Sequence, residues 1–541
     1  MPVYAATTFS PVQGFIEKSR KLRDLYGASV IISHLSERVI KAALEQKIDV
    51  ISPGMPKYAK GMPNRILLKN NDFDSNNQKF AEWLENWANT TILLEWKKVL
   101  TECQKWIETT IPEETDKLTY HWQREWELWR NHTWEIFWGA GNTIPEAMKD
   151  LENRKLSRNW TATNWIGESS SITGTDAIAW PGLAREDRNP KFLKYEDEKS
   201  DIEYFYQLLA TKLETKPANS SPDEEIEGKF LDPNERLSIP ELTKRLVTWY
   251  SIRRNLKLPH LERFTDLVRK PDQDQPGQWT GWFMGDGDKV GNYLQKLADA
   301  PDGETKIKNF SEAMREWGKN FMNKFSSQLG RVIYAGGDDF LGVIYRTPEN
   351  PVAPIEALEW LMTLPQQWQK HGQDITVSVG LVWAASSVPQ RDVLQHCRQA
   401  EKRAKSLGRD RVTIRVLFNS GRFVQWTCPW DYLCILDDYR DREGGKNWTH
   451  IYNDLAQLKA RHAINLDRES ENTDFENENT DFELALALIN LYFPWVRKTQ
   501  QNQNWGQEIL QNQRYIVGDN SPEKLLKWIN DLILVGWQMC S

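Results

Sequence analysis

The sequence predicts an α+β protein of several domains, and three observations predict it. Residues 241–420 alternate apolar runs and amphipathic helices in the order βαββαβ, with an extra strand. Residues 81–240 and 421–541 read as mainly helical. Between these, Arg331 to Tyr345, RVIYAGGDDFLGVIY, sets β-prone residues on both sides of a Gly-Gly-Asp-Asp turn. At 541 residues the chain is too long for one core, so about three to four domains are expected.

Composition narrows the class. Charged residues make up 27% and hydrophobic ones 40%, as in a globular protein. No apolar run reaches the length of a membrane span, and the N-terminus lacks the basic-then-apolar order of a secretory signal, so a cytoplasmic location is expected. The net charge of -7 argues against a surface that coats nucleic acid throughout, though it allows a local basic groove. Cys103, Cys397, Cys428, Cys434 and Cys540 form no CxxC pair, so neither disulfides nor a thiolate zinc site is expected. The 26 tryptophans suit large anchors in helical packing or subunit contacts.

In chain order, residues 1–80 read as strand, helix, helix, strand. Tyr4 to Phe9 is the first strand; Ser10 is placed as N-cap and Pro11 at the first helical position, with a helix break at Gly27. Residues 66–68 end GMPNRILL as a buried strand. In the segment 81–240, Trp83, Leu84 and Trp87 share a helix side, a structural face more than a base-stacking platform. Lys216 to Glu227 reads as a polar loop. In the segment 241–420, the strand Gly281 to Gly285 runs into Asp286-Gly287-Asp288 and a helix; the GGDD hairpin, a helix, the strand ITVSVGLVW, the helix VLQHCRQAEKRAKSL and the strand RVTIRVLF follow. That order is the ferredoxin-like arrangement, in which the first strand lies beside the hairpin, so Asp286 and Asp338 can converge on one edge. In the segment 421–541 helices return, and ENTDFE occurs twice, at Glu471 and Glu478, as an acidic surface insertion.

The chemistry follows from the acids. Adjacent Asp338 and Asp339 repel unless a cation sits with them, and a divalent metal is the obvious partner. Joining a ribose hydroxyl to a nucleotide α-phosphate requires charge neutralisation at the attacking and leaving oxygens, which two carboxylate-held ions supply. Asp286 with Asp338, helped by Asp288 or Asp339, is the candidate set for Mg2+ or Mn2+. Gly285, Gly287, Gly336 and Gly337 would let phosphates approach the backbone. Lys405 and Arg409, at a helix end, could reach a triphosphate, with a helix-dipole role equally open.

DGD, AGGDDF, ITVSVG and AEKRAKSLGRDRV, in this order, resemble the palm of diguanylate cyclases and related nucleotide cyclases. FSPVQGFIEKSRKLRDLYGAS, GMPNRIL, ERLSIPELTKRL and KNWTHIYNDLAQLKARHAI extend the resemblance to the large signature subunit of type III CRISPR effector complexes, type III-B-like, over most of the chain. The resemblance implies two ferredoxin-like palms with a helical insert domain and a helical C-terminal domain: the first palm in residues 1–80 and completed near the end of 81–240, the second in 241–420, the C-terminal domain in 421–541. It also implies ATP as substrate, a cyclic oligoadenylate product, activation by target RNA, and partners among the other complex subunits, guide RNA and target RNA. Asp286, Asp338 and Asp339 match the acidic positions, and Ser10, Gln13 and Asn64 match first-palm positions that would contact a second ATP.

Two departures stand out. None of the eight histidines is followed by Asp, so no HD nuclease is expected; NWIGESSSITG, at the place of a zinc knuckle, holds no cysteine, so zinc is not expected. Two other readings remain open: a catalytically silent nucleotide-binding scaffold in the same complex, and a free-standing diguanylate cyclase, which the N-terminal segment disfavours.

Overall fold

The computed structural model describes the chain except residues 1–2, 56–59, 71–76, 112–119, 159–167, 185–190, 192–193, 215–229, 260–266, 268–276, 465–474, 497–502 and 519. The expected loop at 216–227 and the first ENTDFE copy through 474 lie outside the described residues. The chain forms two compact units, one of residues 1–267 and 291–319, the other of 268–290 and 320–541.

The first unit is organised on a four-stranded sheet of order β2-β3-β1-β4. Its strands are β1 Val3–Ser10, β2 Asp49–Ser52, β3 Ile66–Asn70 and β4 Glu135–Gly141, and every neighbouring pair is antiparallel. This is the ferredoxin-like order, and its last strand comes from within the tryptophan-rich stretch. β1 is buried on both faces: Ala5 and Phe9 join one core, Ala6 the other. The first core takes Leu84, Trp87 and Trp96 from the helix Asn77–Thr110, so the ring of Trp87 serves packing; the side chain of Trp83 is not among those described. Ile144, Leu151 and Ile307 cover the opposite face.

Two local expectations change. Ser10 is recruited by the sheet, pairing with Glu135, and the helix Val12–Glu17 begins after Pro11 without a side-chain cap. Gly27 does not break a helix: Leu22–Glu45 runs through it. The glycine is needed for close approach, since a Cβ there would lie 1.9 Å from the carbonyl oxygen of Lys244 in the helix Ile239–Leu246. That contact brings together a buried ion network, in which Arg245 donates to Asp24 (2.8 and 3.0 Å) and Glu235 (2.5 Å). A buried guanidinium is tolerable because both carboxylates share its charge.

The second unit carries a six-stranded sheet of order β10-β9-β8-β5-β7-β6. The strands are β5 Thr280–Gly287, β6 Gly330–Ala335, β7 Asp339–Ile344, β8 Val377–Ala384, β9 Arg411–Leu417 and β10 Phe423–Pro429. The four strands β8-β5-β7-β6 repeat the ferredoxin-like order; β9 adds in parallel to β8, and β10 closes a hairpin on β9. The helix Gln390–Ser406 makes the parallel crossover, as such a connection requires. Helices from Ile435 onward complete the unit, and the last, Pro522–Cys540, packs on β10, where Trp528 donates its indole N–H to the carbonyl of Thr427 (2.8 Å). The second ENTDFE copy belongs to the helix Phe475–Tyr492, whose acidic opening suits a helix N-terminus better than a loop. The chain is thus α+β, with two palm sheets and helical additions to each, as the sequence predicts.

Candidate active site

The acids gather where β5 meets β7. Asp286 stands opposite Asp339 in the ladder, and the N–H of Gly287 donates to the carbonyl of Asp338 (2.8 Å). The turn between β6 and β7 closes with the N–H of Gly336 donating to the carbonyl of Asp339 (3.1 Å). Neither Gly336 nor Gly337 takes a positive φ, so this turn does not use the left-handed freedom of glycine. Gly285 serves packing, since a Cβ would meet the Phe340 ring at 2.2 Å. Gly287 is also enclosed, by Val290 at 2.7 Å and the Cβ of Asp338 at 3.1 Å.

The helix Gln390–Ser406 brings a cation to this edge. Lys405 pairs with Asp286 and with Glu401 one turn earlier (2.7 Å). Burial works against the Lys405 charge, but its bonds to the two carboxylates win and hold its pKa above the ordinary value. Burial likewise raises Asp286 despite Lys405. Protein packed around Asp339, and then repulsion from Asp338 and Asp286, push its carboxyl up to about 7. Asp339 is also an exposed residue, so solvent that reaches its carboxyl weakens both the burial effect and the repulsion. Half-buried Tyr334, on β6, has its hydroxyl raised well above the ordinary value by burial, then by Asp339, Asp286 and Glu401. It therefore faces the acids as a neutral phenol.

Asp288 is bound differently. Its buried carboxylate accepts from the hydroxyls of Thr376 (2.8 Å) and Ser378 (2.7 Å) and from the backbone N–H of Asp410 (2.9 Å). Arg409 is exposed in the turn after the helix, and no hydrogen bond or ion pair links its side chain to the acids. The structure thus brings together Asp286, Asp338, Asp339 and Lys405, and holds Asp288 and Arg409 beside them through the backbone.

The first-palm candidates belong to the other unit. Asn64 donates to the hydroxyl of Thr8 (3.0 Å) and the carbonyl of Phe9 (2.9 Å), which places it at the end of β1 that carries Ser10. The Ser10 hydroxyl is buried without a hydrogen-bond partner, and Gln13 is exposed on the following helix.

The donor chemistry fits a divalent cation, because crowded carboxylates with raised affinity for protons are stabilised by added positive charge. Among the described residues, however, no group of three or more His, Cys, Asp or Glu side chains is arranged to hold a metal. Lys405 supplies the counter-charge instead. Sequence reasoning missed Glu401, Tyr334, Thr376 and Ser378. The i,i+4 spacing of Glu401 and Lys405 is a readable signal for the first; the others depend on strand register.

The comparisons agree with this architecture. Residues 280–413 match the family model for the second palm domain of Cas10/Cmr2, and residues 4–101 match that for the N-terminal part of the CRISPR-associated protein Cmr2. No curated protein matches the sequence. Among solved structures, a chain of type III-B Cmr-beta in the apo state has a TM-score of 0.58 at 12% identity, covering 99% of this chain and 82% of its own. A chain of type III-B Cmr-beta bound to cognate target RNA gives 0.51 at 11% identity, covering 99% and 83%. At this identity the likeness speaks to fold alone. Two family models are thus matched in order, one on each palm sheet: the chain carries a second palm domain of the Cas10/Cmr2 type and an N-terminal region of the Cmr2 type.

Proposed function

We propose that this chain is the cyclic oligoadenylate synthase subunit of a type III-B-like effector complex, joining ATP molecules by 3′-5′ nucleotidyl transfer when the complex holds target RNA. The observation that carries the proposal is the cross-strand pairing of Asp286 with Asp339, next to Asp338, on a palm of the Cas10/Cmr2 type. Asp286, Asp338 and Asp339 would hold Mg2+ or Mn2+, which supplies charge neutralisation at the reacting oxygens. Lys405 and Arg409 would bind the triphosphate, and Ser10, Gln13 and Asn64 would contact a second ATP in the first palm. The other subunits and the guide RNA are the expected partners, in keeping with the fold neighbour whose complex is bound to cognate target RNA. For location, the structure says only that no described helix is long and apolar enough to cross a membrane.

A second reading, a nucleotide-binding scaffold without catalysis, is favoured by one feature: Lys405 already neutralises Asp286. Mass spectrometry of products separates the two. The assembled complex, given ATP and Mg2+ or Mn2+, should yield cyclic oligoadenylates only with target RNA, and about a thousandfold less after Asp338→Ala/Asp339→Ala. An intact RNA-bound complex that makes no product from ATP or any other nucleotide would establish the scaffold.

A further inference from the structure

The turn after the helix Gln390–Ser406 runs through three consecutive positive-φ residues, Gly408 (132°), Arg409 (67°) and Asp410 (50°). Arg409 and Asp410 carry side chains, and such residues persist in this conformation only where surrounding contacts impose it. Two buried side chains do so. Asp288 accepts the N–H of Asp410 (2.9 Å), and Arg411 donates to the carbonyl of Arg409 (2.9 Å) while its other nitrogens reach the carbonyls of Ile516 (3.1 Å) and Tyr515 (3.2 Å). Asp288 is in turn fixed from β8 and the residue before it, by Ser378 and Thr376, and its own N–H donates to the carbonyl of Thr376 (2.8 Å).

A carboxylate offers about four lone-pair positions, and Asp288, 6% exposed, spends three on these donors. The one position left is on the oxygen that accepts from Ser378, so a cation held through both oxygens would have to displace a donor. Asp286, two residues earlier, faces the other acids and, among the described residues, has only Lys405 to give up. Period-two alternation alone would keep Asp286 and Asp288 on one face; the difference arises because β5 ends at Gly287 and the chain past it turns Asp288 toward Thr376 and Ser378.

We propose that Asp288 is a positioning residue and not a metal ligand: it holds the Gly408–Asp410 turn, and so sets where Arg409 and the Lys405 end of the helix stand against the phosphates of a bound nucleotide. This rests on the nucleotidyl-transfer reading above, with the role of one acid in the motif reassigned.

The test uses the full chain with Asp288→Asn, Asp288→Ala and Asp286→Asn. Three quantities are measured: Mn2+ binding by electron paramagnetic resonance, affinity for a non-hydrolysable ATP analogue, and hydrogen exchange of the amides at 408–412. In Asp288→Asn, Mn2+ affinity should stay within about threefold of the parent, while exchange at Asp410 speeds up and analogue affinity falls by about tenfold or more, the usual size for loss of a supporting hydrogen bond behind a site. Asp288→Ala should be worse than Asp288→Asn, since the amide oxygen of Asn can still accept one N–H. Asp286→Asn should lose Mn2+ binding and leave exchange at Asp410 unchanged. If Asp288→Asn does not fold, Thr376→Val, which removes one of the three donors, should show the same pattern at smaller size. Loss of Mn2+ binding in Asp288→Asn as large as in Asp286→Asn, or unchanged exchange at Asp410, would overturn the assignment while leaving the reaction intact. A parent chain that binds Mn2+ but no analogue would overturn the positioning role, and a parent that binds neither would remove the nucleotidyl reading with it.

Discussion

The two palm sheets share one topology and treat the same corner in opposite ways. In the first, the end of β1 is closed by a neutral side chain, Asn64, which donates to Thr8 and Phe9. In the second, the end of β5 faces the start of β7 with Asp286 opposite Asp339 and Asp338 alongside. Buried charge also occurs in the first unit, but there it is matched, Arg245 against Asp24 and Glu235. An ion network whose charges are matched is tolerated inside a fold, whereas carboxylates that raise one another's pKa repel without compensation. The contrast teaches that the fold does not require acids at this corner, so their presence in the second palm calls for a functional reason.

The comparison breaks most visibly if the acids can be removed without consequence. Asp338→Ala/Asp339→Ala should lower cyclic product by about a thousandfold, equivalent to roughly 4 kcal/mol of barrier. The same variant should unfold at the parent's denaturant midpoint or above it, because repulsion at Asp339 is relieved. In the first unit the order reverses. Arg245→Ala, leaving Asp24 and Glu235 buried without their cation, should cost about 3 kcal/mol in chemical denaturation. Parent-like stability in Arg245→Ala would mean that the network is not what joins the helices Leu22–Glu45 and Ile239–Leu246.

Much of the second palm was legible because its signals are local. Strand propensity, the turn residues and the βαββαβ order place Asp286 and Asp338 on one edge, and the spacing of Lys405 on its helix brings it there. The role of Asp288 was not legible, since it depends on Thr376, Ser378 and Asp410, about ninety to a hundred and twenty residues away and fixed by sheet register. The first palm was harder for the same reason. Its fourth strand, Glu135–Gly141, is short and follows long helices, and Gly27 reads as a helix breaker until the backbone of Lys244 is known to cross it.

A smaller effect sharpens the contrast at the strand ends. Asn64→Ala removes both hydrogen bonds to β1 and should destabilise by about 1–2 kcal/mol, as for a part-buried polar contact. If Asn64 also contacts nucleotide, Asn64→Asp would lower product formation more than this loss of stability explains.

The smallest expected effect compares two glutamates on palm helices. Glu95, on the helix Asn77–Thr110, is held by His34 (3.6 Å), Arg38 (3.4 Å) and Lys98 (2.7 Å), and the bond to His34, ahead of those to the lysine and arginine, lowers its carboxyl to about 2. Glu401 goes the other way: burial raises it in spite of Lys405. A carboxylate whose folded pKa lies below the ordinary value contributes stability above about pH 4.5, and that contribution is lost as pH falls toward 2. Unfolding followed by tryptophan fluorescence should therefore show an acid loss that Glu95→Gln reduces by about 1 kcal/mol, once solvent screening of the pairs is allowed for. Glu401→Gln should leave that acid loss in place, because a raised pKa contributes with the opposite sign. An acid limb that is the same in the parent and Glu95→Gln would place its origin elsewhere, and would weaken the contrast between matched charge in the first palm and mutually repelling charge in the second.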